Sequence, residues 1–198
     1  MNDLTAEQIH EQNEHRATKT LGFWIYLMTD CILFASLFAT YIVLRDGTYG
    51  GPSGKDIFDM PFVLAETLIL LTSSFICGLV MLAAKHKQKI WAVVGLVVTL
   101  LLGAAFLALE LFEFTKLAGE GYSWQASAFL SAFFTLVGTH GLHIAVGLLW
   151  VLVMLGQMLR RGLTAGVSRR LAMFGLYWHF LDIIWIFIFT IVYLMGVA

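Results

Sequence analysis

The chain is poor in charge, in cysteine and in proline. Only 13% of its 198 residues are charged, the formal net charge is −1, and it has two cysteines and two prolines. This charge balance does not favour nucleic-acid binding. Cys31 and Cys77 both fall within apolar runs and form no CxxC or CxxCH pair. We therefore expect neither a disulfide framework nor covalently attached haem.

Apolar residues dominate instead, at 60% of the chain with a mean hydropathy of +0.84. A soluble domain of this length cannot bury so much apolar surface, so the composition predicts a membrane protein. A membrane-spanning helix needs roughly 20 mostly apolar residues. Five segments qualify, at about 21–44, 61–84, 90–112, 127–159 and 172–197. We predict an all-α fold: a polar N-terminal tail over 1–20, then one domain of five transmembrane helices over 21–198.

The basic residues predict the orientation. With the N-terminus inside, the cytoplasmic side holds nine of them: Arg16, Lys19, Lys85, Lys87, Lys89, Arg160, Arg161, Arg169 and Arg170. The outer side then holds three: Arg45, Lys55 and Lys116. Because lysine and arginine accumulate in cytoplasmic loops, we expect a cytoplasmic N-terminus and an external C-terminus.

Eight ionisable side chains lie at membrane depth, where each costs at least about 2.5–3.5 kcal/mol unless it has a partner or a wet cavity. Counting about 1.5 Å per residue from the inner basic residues separates two levels. The upper level, near the outer rim, has five members: Glu66, Glu110, Glu113, His140 and His143. The deeper level has three: Asp30, His179 and Asp182. Three of the pairs are spaced i,i+3 and therefore share a helix face.

The three histidines raise the question of a copper or haem site. His179 lies about 12–15 Å deeper than His140 and His143 by the same count. Ligands of one metal must all lie about 2 Å from it, so the depths disfavour a shared metal. We favour a carboxylate–imidazole network that ties the second, third and fourth spans together. A proton-conducting role stays open as an alternative.

Four motifs in sequence order resemble subunit III of the haem–copper oxidases. They are GFWIYLMTDCILF (22–34), ELFEF (110–114), GTHGLHIAVG (138–147) and YWHFLDIIW (177–185). The likeness is greatest to the short, five-helix form found in bacterial cytochrome bo-type ubiquinol oxidases. Seven of the eight ionisable residues match positions of the family's motifs: Asp30, Glu110, Glu113, His140, His143, His179 and Asp182. Glu66 does not, because seven-helix members carry a different polar residue there.

The resemblance implies an accessory, non-catalytic subunit of a proton-pumping quinol:oxygen oxidase in the bacterial inner membrane. It implies no catalytic residue, metal or cofactor in this chain, with haem b, haem o and copper in subunit I. The implied partners are subunit I, subunits II and IV, and phospholipids. The alternatives are subunit III of a cytochrome c-oxidising enzyme, a stand-alone haem or copper oxidoreductase, and a small transporter.

Overall fold

The computed structural model describes residues 6–197, and the side chains of 17–55 and 57–197. Within that range the chain is helical and contains no strand. The elements are α1 (Ala6–Leu44), α2 (Gly54–Ile57), α3 (Met60–Lys85), α4 (Lys89–Gly119), α5 (Ala128–Arg161), α6 (Ala165–Ile188), a π-helix (Phe189–Leu194) and α7 (Met195–Val197). Residues 1–5 of the predicted polar tail lie outside the described residues.

The all-α prediction is confirmed. Five helical segments are long and apolar enough to cross a membrane: Ala17–Leu44, Met60–Lys85, Lys89–Gly119, Ala128–Arg161 and Ala165–Val197. The third continues beyond the predicted end at 112, and the fifth begins before the predicted start at 172. Both differences arise because polar residues at a helix end extend the helix past its apolar stretch, which is what hydropathy detects.

Local sequence signals set several helix ends. Ser127 begins α5 by accepting a hydrogen bond from the Leu130 amide (3.1 Å), and Thr164 begins α6 by accepting one from the Val167 amide (3.3 Å). Pro61 lies in the first turn of α3, where its missing amide hydrogen costs nothing. Gly162 ends α5 with a φ of 70°, a conformation in which glycine has no steric penalty.

The chain forms two compact units. The first ends at Ser36 and, in the described range, consists of the larger part of α1. The second runs from Leu37 and contains every other element. Inside the second unit α3 packs on α4 and α6, and α5 packs on the same two helices. These four helices therefore surround a common core, which contains the candidate site.

Trp178 of α6 lies at the centre of that core. Its Nε1 donates to Ser73 Oγ of α3 (3.2 Å), and Ser73 donates onward to the carbonyl of Thr99 on α4 (3.3 Å). Glycines make room for the indole ring: a Cβ added at Gly103 or Gly147 would lie 2.9 or 2.7 Å from ring atoms. The ring thus fills the space where α4 and α5 approach α6.

Candidate functional site: a buried carboxyl–tyrosine cluster

Three carboxyl groups and one phenol meet in the second unit. Glu66 comes from α3, Glu110 and Glu113 from α4, and Tyr193 from the π-helix. The three carboxyls are 0%, 1% and 7% exposed, and the Tyr193 side chain is fully buried. All three carboxyls interact electrostatically with the Tyr193 hydroxyl. The upper level of acids predicted from the sequence is therefore brought together, around a tyrosine that the sequence analysis did not name.

One hydrogen bond organises this cluster. The Tyr193 hydroxyl donates to Glu113 Oε2 at 2.9 Å. The four carboxyl oxygens of Glu66 and Glu110 have no hydrogen-bond partner within the described part of the chain. A π-helix has a wider turn than an α-helix and so changes which face the following side chains occupy. We attribute the inward position of the Tyr193 hydroxyl to this local change of helix type.

His140 lies beside the cluster among aromatic rings. Its imidazole stacks on Trp185 (centroids 5.2 Å apart, planes 30° apart) and meets the edge of Phe106 (6.0 Å, 89°). Trp185 in turn donates from Nε1 to Thr67 Oγ1 at 3.0 Å. The surroundings of His140 thus include the aromatic core, whereas the sequence analysis expected it to bond to carboxylates.

Gly141, next to His140, explains how α4 approaches α5 at this height. A Cβ at this position would lie 2.7 and 2.8 Å from the two carboxyl oxygens of Glu110. Only a residue without a side chain leaves that space, so the Glu110 carboxyl packs directly on the α5 backbone. The glycine of the HGLH motif therefore accommodates a carboxyl group.

A pocket of about 310 Å³ adjoins the cluster where the N-terminal end of α3 meets the C-terminal end of α4. Glu113 lines it together with Asp59, Lys116 and Glu120. Lys116 also interacts electrostatically with Glu113. Glu113 therefore connects the buried carboxyls to a pocket with charged lining residues at the end of α4.

The remaining predicted residues lie elsewhere. His143 donates from Nδ1 to the carbonyl of Thr139 in its own helix (2.7 Å). His179 and Asp182 of α6 form a second site with Ser74 of α3, whose hydroxyl shares a 2.7 Å hydrogen bond with His179 Nδ1. Asp30 lies on the part of α1 that belongs to the first unit. Of the predicted deeper level, Asp30 therefore belongs to the first unit, and His179 and Asp182 belong to the second.

Three polar residues of α3 that bond to α6 were not predicted from the sequence. Thr67, Ser73 and Ser74 bond to Trp185, Trp178 and His179 respectively. A signal was present, because Glu66, Ser73 and Cys77 recur near heptad spacing on the buried face of α3. Serine and threonine hydroxyls carry no charge, so a criterion based on ionisable side chains does not select them.

The described residues contain no group of three or more histidine, cysteine, aspartate or glutamate side chains that could hold a metal ion. The two sites offer carboxyl, imidazole, hydroxyl and indole groups, which form hydrogen bonds. Together with the five spans, they define a polytopic α-helical membrane protein whose core helices are joined by buried polar contacts.

The family model for cytochrome c oxidase subunit III matches residues 2–197, so the chain belongs to that family. The resemblance inferred from the four motifs is confirmed. As a family member, the chain is an accessory subunit of a haem–copper oxidase complex and a multi-pass protein of the bacterial inner membrane.

Relatives with two kinds of electron donor in their names are similar to the chain. The cytochrome bo(3) ubiquinol oxidase subunit 3 of Pseudomonas aeruginosa is 55% identical over 195 residues, covering 96% of this chain and 93% of the relative. The cytochrome c oxidase subunit 3 of Bacillus sp. (strain PS3) is 46% identical over 204 residues, covering 98% and 97%. The quinol oxidase subunit 3 of Bacillus subtilis (strain 168) is 44% identical over 187 residues.

Proposed function

We propose that this chain is the cofactor-free subunit III of a proton-pumping quinol oxidase. It stabilises the catalytic subunit I, binds phospholipid and contributes no catalytic residue. Haem b, haem o and copper belong to subunit I, and subunits II and IV complete the complex. The observation that carries this proposal is the 55% identity, over almost the whole of both chains, to a ubiquinol oxidase subunit 3.

The buried polar residues have a structural role in this proposal. Glu113 and Tyr193 join α4 to the π-helix, and His179 and Ser74 join α6 to α3. Contacts of this kind inside membranes contribute on the order of 0.6–2 kcal/mol each. The whole set of eight, Asp30, Glu66, Glu110, Glu113, His140, His143, His179 and Asp182, then serves helix association.

The orientation is part of the same proposal. The N-terminus is cytoplasmic and the C-terminus external, because nine basic residues then lie inside against three outside. A single cysteine introduced at Tyr49, which is 94% exposed in the loop after α1, tests this. We expect a membrane-impermeant thiol reagent to label it from the periplasmic side of intact spheroplasts. Labelling only after lysis would indicate the opposite orientation, with the N-terminus external.

Purification tests the cofactor assignment. A tagged chain is purified with its complex, and the complex is then separated into subunits in detergent. We expect haem spectra and copper content to follow the large subunit, with the isolated chain transparent in the visible range. Stoichiometric haem or copper in the isolated chain would instead support a stand-alone oxidoreductase.

The second candidate is subunit III of a cytochrome c-oxidising enzyme, favoured by the 46% identity to the Bacillus sp. (strain PS3) protein. The purified complex separates the two. We expect oxygen consumption with a ubiquinol and none with reduced cytochrome c. The reverse pattern would assign the chain to the second candidate.

A further inference from the structure

A groove on the surface formed by α3 and α6 has apolar walls and a polar floor. It encloses about 360 Å³ and is lined by Leu71, Ser74, Phe75, Gly78, Leu79, His179 and Asp182. The five α3 residues recur at i, i+3, i+4, i+7 and i+8, which places them on one stripe of that helix. The stripe is about 12 Å long at 1.5 Å per residue, which is two turns of a helix. We call this feature the α3–α6 groove.

The walls of the α3–α6 groove are apolar and open. Phe75 is 68% exposed and Leu79 is 48% exposed. Gly78 lies between them, and a Cβ there would meet nothing within 4 Å. A neighbouring backbone can therefore come close at this point, as it does where small residues face each other in membrane-helix pairs.

The floor of the groove is polar. Ser74 Oγ shares a hydrogen bond with His179 Nδ1, and both residues line the groove. Asp182 lies on the same face of α6 three residues later, is more than nine-tenths buried, and lines the groove. Its Oδ1 has no hydrogen-bond partner among the residues that the structure describes. The floor thus consists of a hydroxyl, an imidazole and a carboxyl group, and the Oδ1 atom of that carboxyl is itself enclosed.

The depth of this floor limits what can cover it. His179 is about 13 Å along α6 from Arg170, the nearest basic residue, which places it inside the hydrocarbon. An ionisable group facing lipid there costs at least about 2.5–3.5 kcal/mol. An acyl chain supplies no hydrogen bond, and bulk water does not reach this level. A polypeptide helix supplies both the apolar surface for the walls and a polar side chain for the floor.

We propose that the α3–α6 groove receives a transmembrane helix of a partner subunit of the oxidase. That helix lies over Gly78 and presents a hydroxyl, amide or other hydrogen-bonding side chain to His179 and Asp182. The inference rests on the proposed function, because it requires a multisubunit complex. It identifies the face of the chain that contacts the partner subunit.

Photo-crosslinking in the assembled oxidase tests this. Benzoylphenylalanine replaces Phe75, whose side chain is already aromatic and exposed. The same amino acid replaces Leu101 of α4, also 63% exposed, to report background capture. After irradiation, the adducts are purified through a tag on the large subunit and identified by mass spectrometry.

We expect the Phe75 adduct to contain a peptide from a transmembrane segment of another subunit, at least tenfold above the Leu101 background. Adducts with lipid or quinone only would overturn the proposal. Failure of the unmodified chain to copurify with any haem-containing subunit would instead refute the proposed function, so the two failures are distinguishable.

A paired substitution supplies a second test. Gly78→Leu adds a side chain in the groove at a position where a Cβ meets nothing within 4 Å, and Gly156→Leu is the matched control, because a Cβ there also meets nothing within 4 Å. We expect Gly78→Leu to lower the amount of chain recovered with the complex at least tenfold, while Gly156→Leu leaves it unchanged. Protection of the buried Cys77 thiol in membranes verifies that both variants fold. Equal recovery of the two variants would overturn the proposal.

Discussion

The Tyr193 hydroxyl donates to Glu113 Oε2 at 2.9 Å, joining the π-helix to α4 inside a cluster of three carboxyl groups. The two residues are 80 positions apart in sequence. This bond brings the C-terminal end of the chain against the third spanning helix. Glu113 thus accepts a hydrogen bond. The neighbouring carboxyl oxygens of Glu66 and Glu110 accept none from the residues that the structure describes.

Stability in the assembled complex can be followed through one thiol. Cys77 of α3 is buried and Cys31 is exposed. In a Cys31→Ser background, the rate at which a thiol reagent labels Cys77 reports the free energy of opening around α3. The chain is separated from its partners on a gel after labelling, so that the rate is read for Cys77 alone.

Tyr193→Phe removes the hydroxyl while keeping the ring. We expect the free energy of opening to fall by about 1–3 kcal/mol, because Glu113 Oε2 is left buried without its donor. Tyr49→Phe is the matched control, since the Tyr49 side chain is 94% exposed. Equal labelling rates in the two variants would show that the Tyr193 bond contributes nothing to stability.

Gly147→Ala places a methyl group against the Trp178 ring, where a Cβ would lie 2.7 Å from a ring atom. The buried ring cannot move aside easily, so we expect a loss of about 1–3 kcal/mol from overpacking. Gly156→Ala, in the same helix but with no atom within 4 Å, is expected to stabilise by up to about 1 kcal/mol. The same substitution should therefore lower the free energy of opening at Gly147 and raise it at Gly156. A rise at Gly147 would contradict close packing of that residue against Trp178.

Gly141→Ala and Glu110→Ala form a double-mutant cycle. The added methyl group lies against the Glu110 carboxyl, so we expect Gly141→Ala to destabilise the wild-type background more than the Glu110→Ala background. The expected coupling is about 0.5–3 kcal/mol, as for residues in direct contact. Additive effects would show that the carboxyl group moves away at no cost.

Thr67→Val tests the bond between α3 and Trp185. Valine keeps the shape of threonine but leaves the indole Nε1 hydrogen buried without an acceptor, at an expected cost of about 1–3 kcal/mol. Thr72→Val, on the same helix, removes an exposed hydroxyl that bonds to the Leu68 carbonyl, and we expect little change. Similar effects of both would mean that helix propensity, rather than the bond to Trp185, explains the Thr67 result.

The buried acids show how far residue counting reaches. Depth along each helix predicted that Glu66, Glu110 and Glu113 share one level, and the structure brings the three together. Counting could not predict how each helix is rotated about its axis. The hydrogen bond to Glu113 comes from Tyr193 in the π-helix, and His140 lies against Trp185. The rotation of a helix about its axis depends on side-chain packing, and the depth of a residue along the helix gives no information about that packing.

The sequence by itself determined the class, the five spans and the family. Hydrophobic length is a local property that the bilayer imposes, and four ordered motifs carry the relationship. Only the tertiary structure decided which polar groups meet. The Trp178–Ser73 and His179–Ser74 pairs are each 105 positions apart, and their distances depend on the packing of α6 against α3. The same packing forms the α3–α6 groove, because helices placed side by side define a surface that neither sequence segment encodes alone.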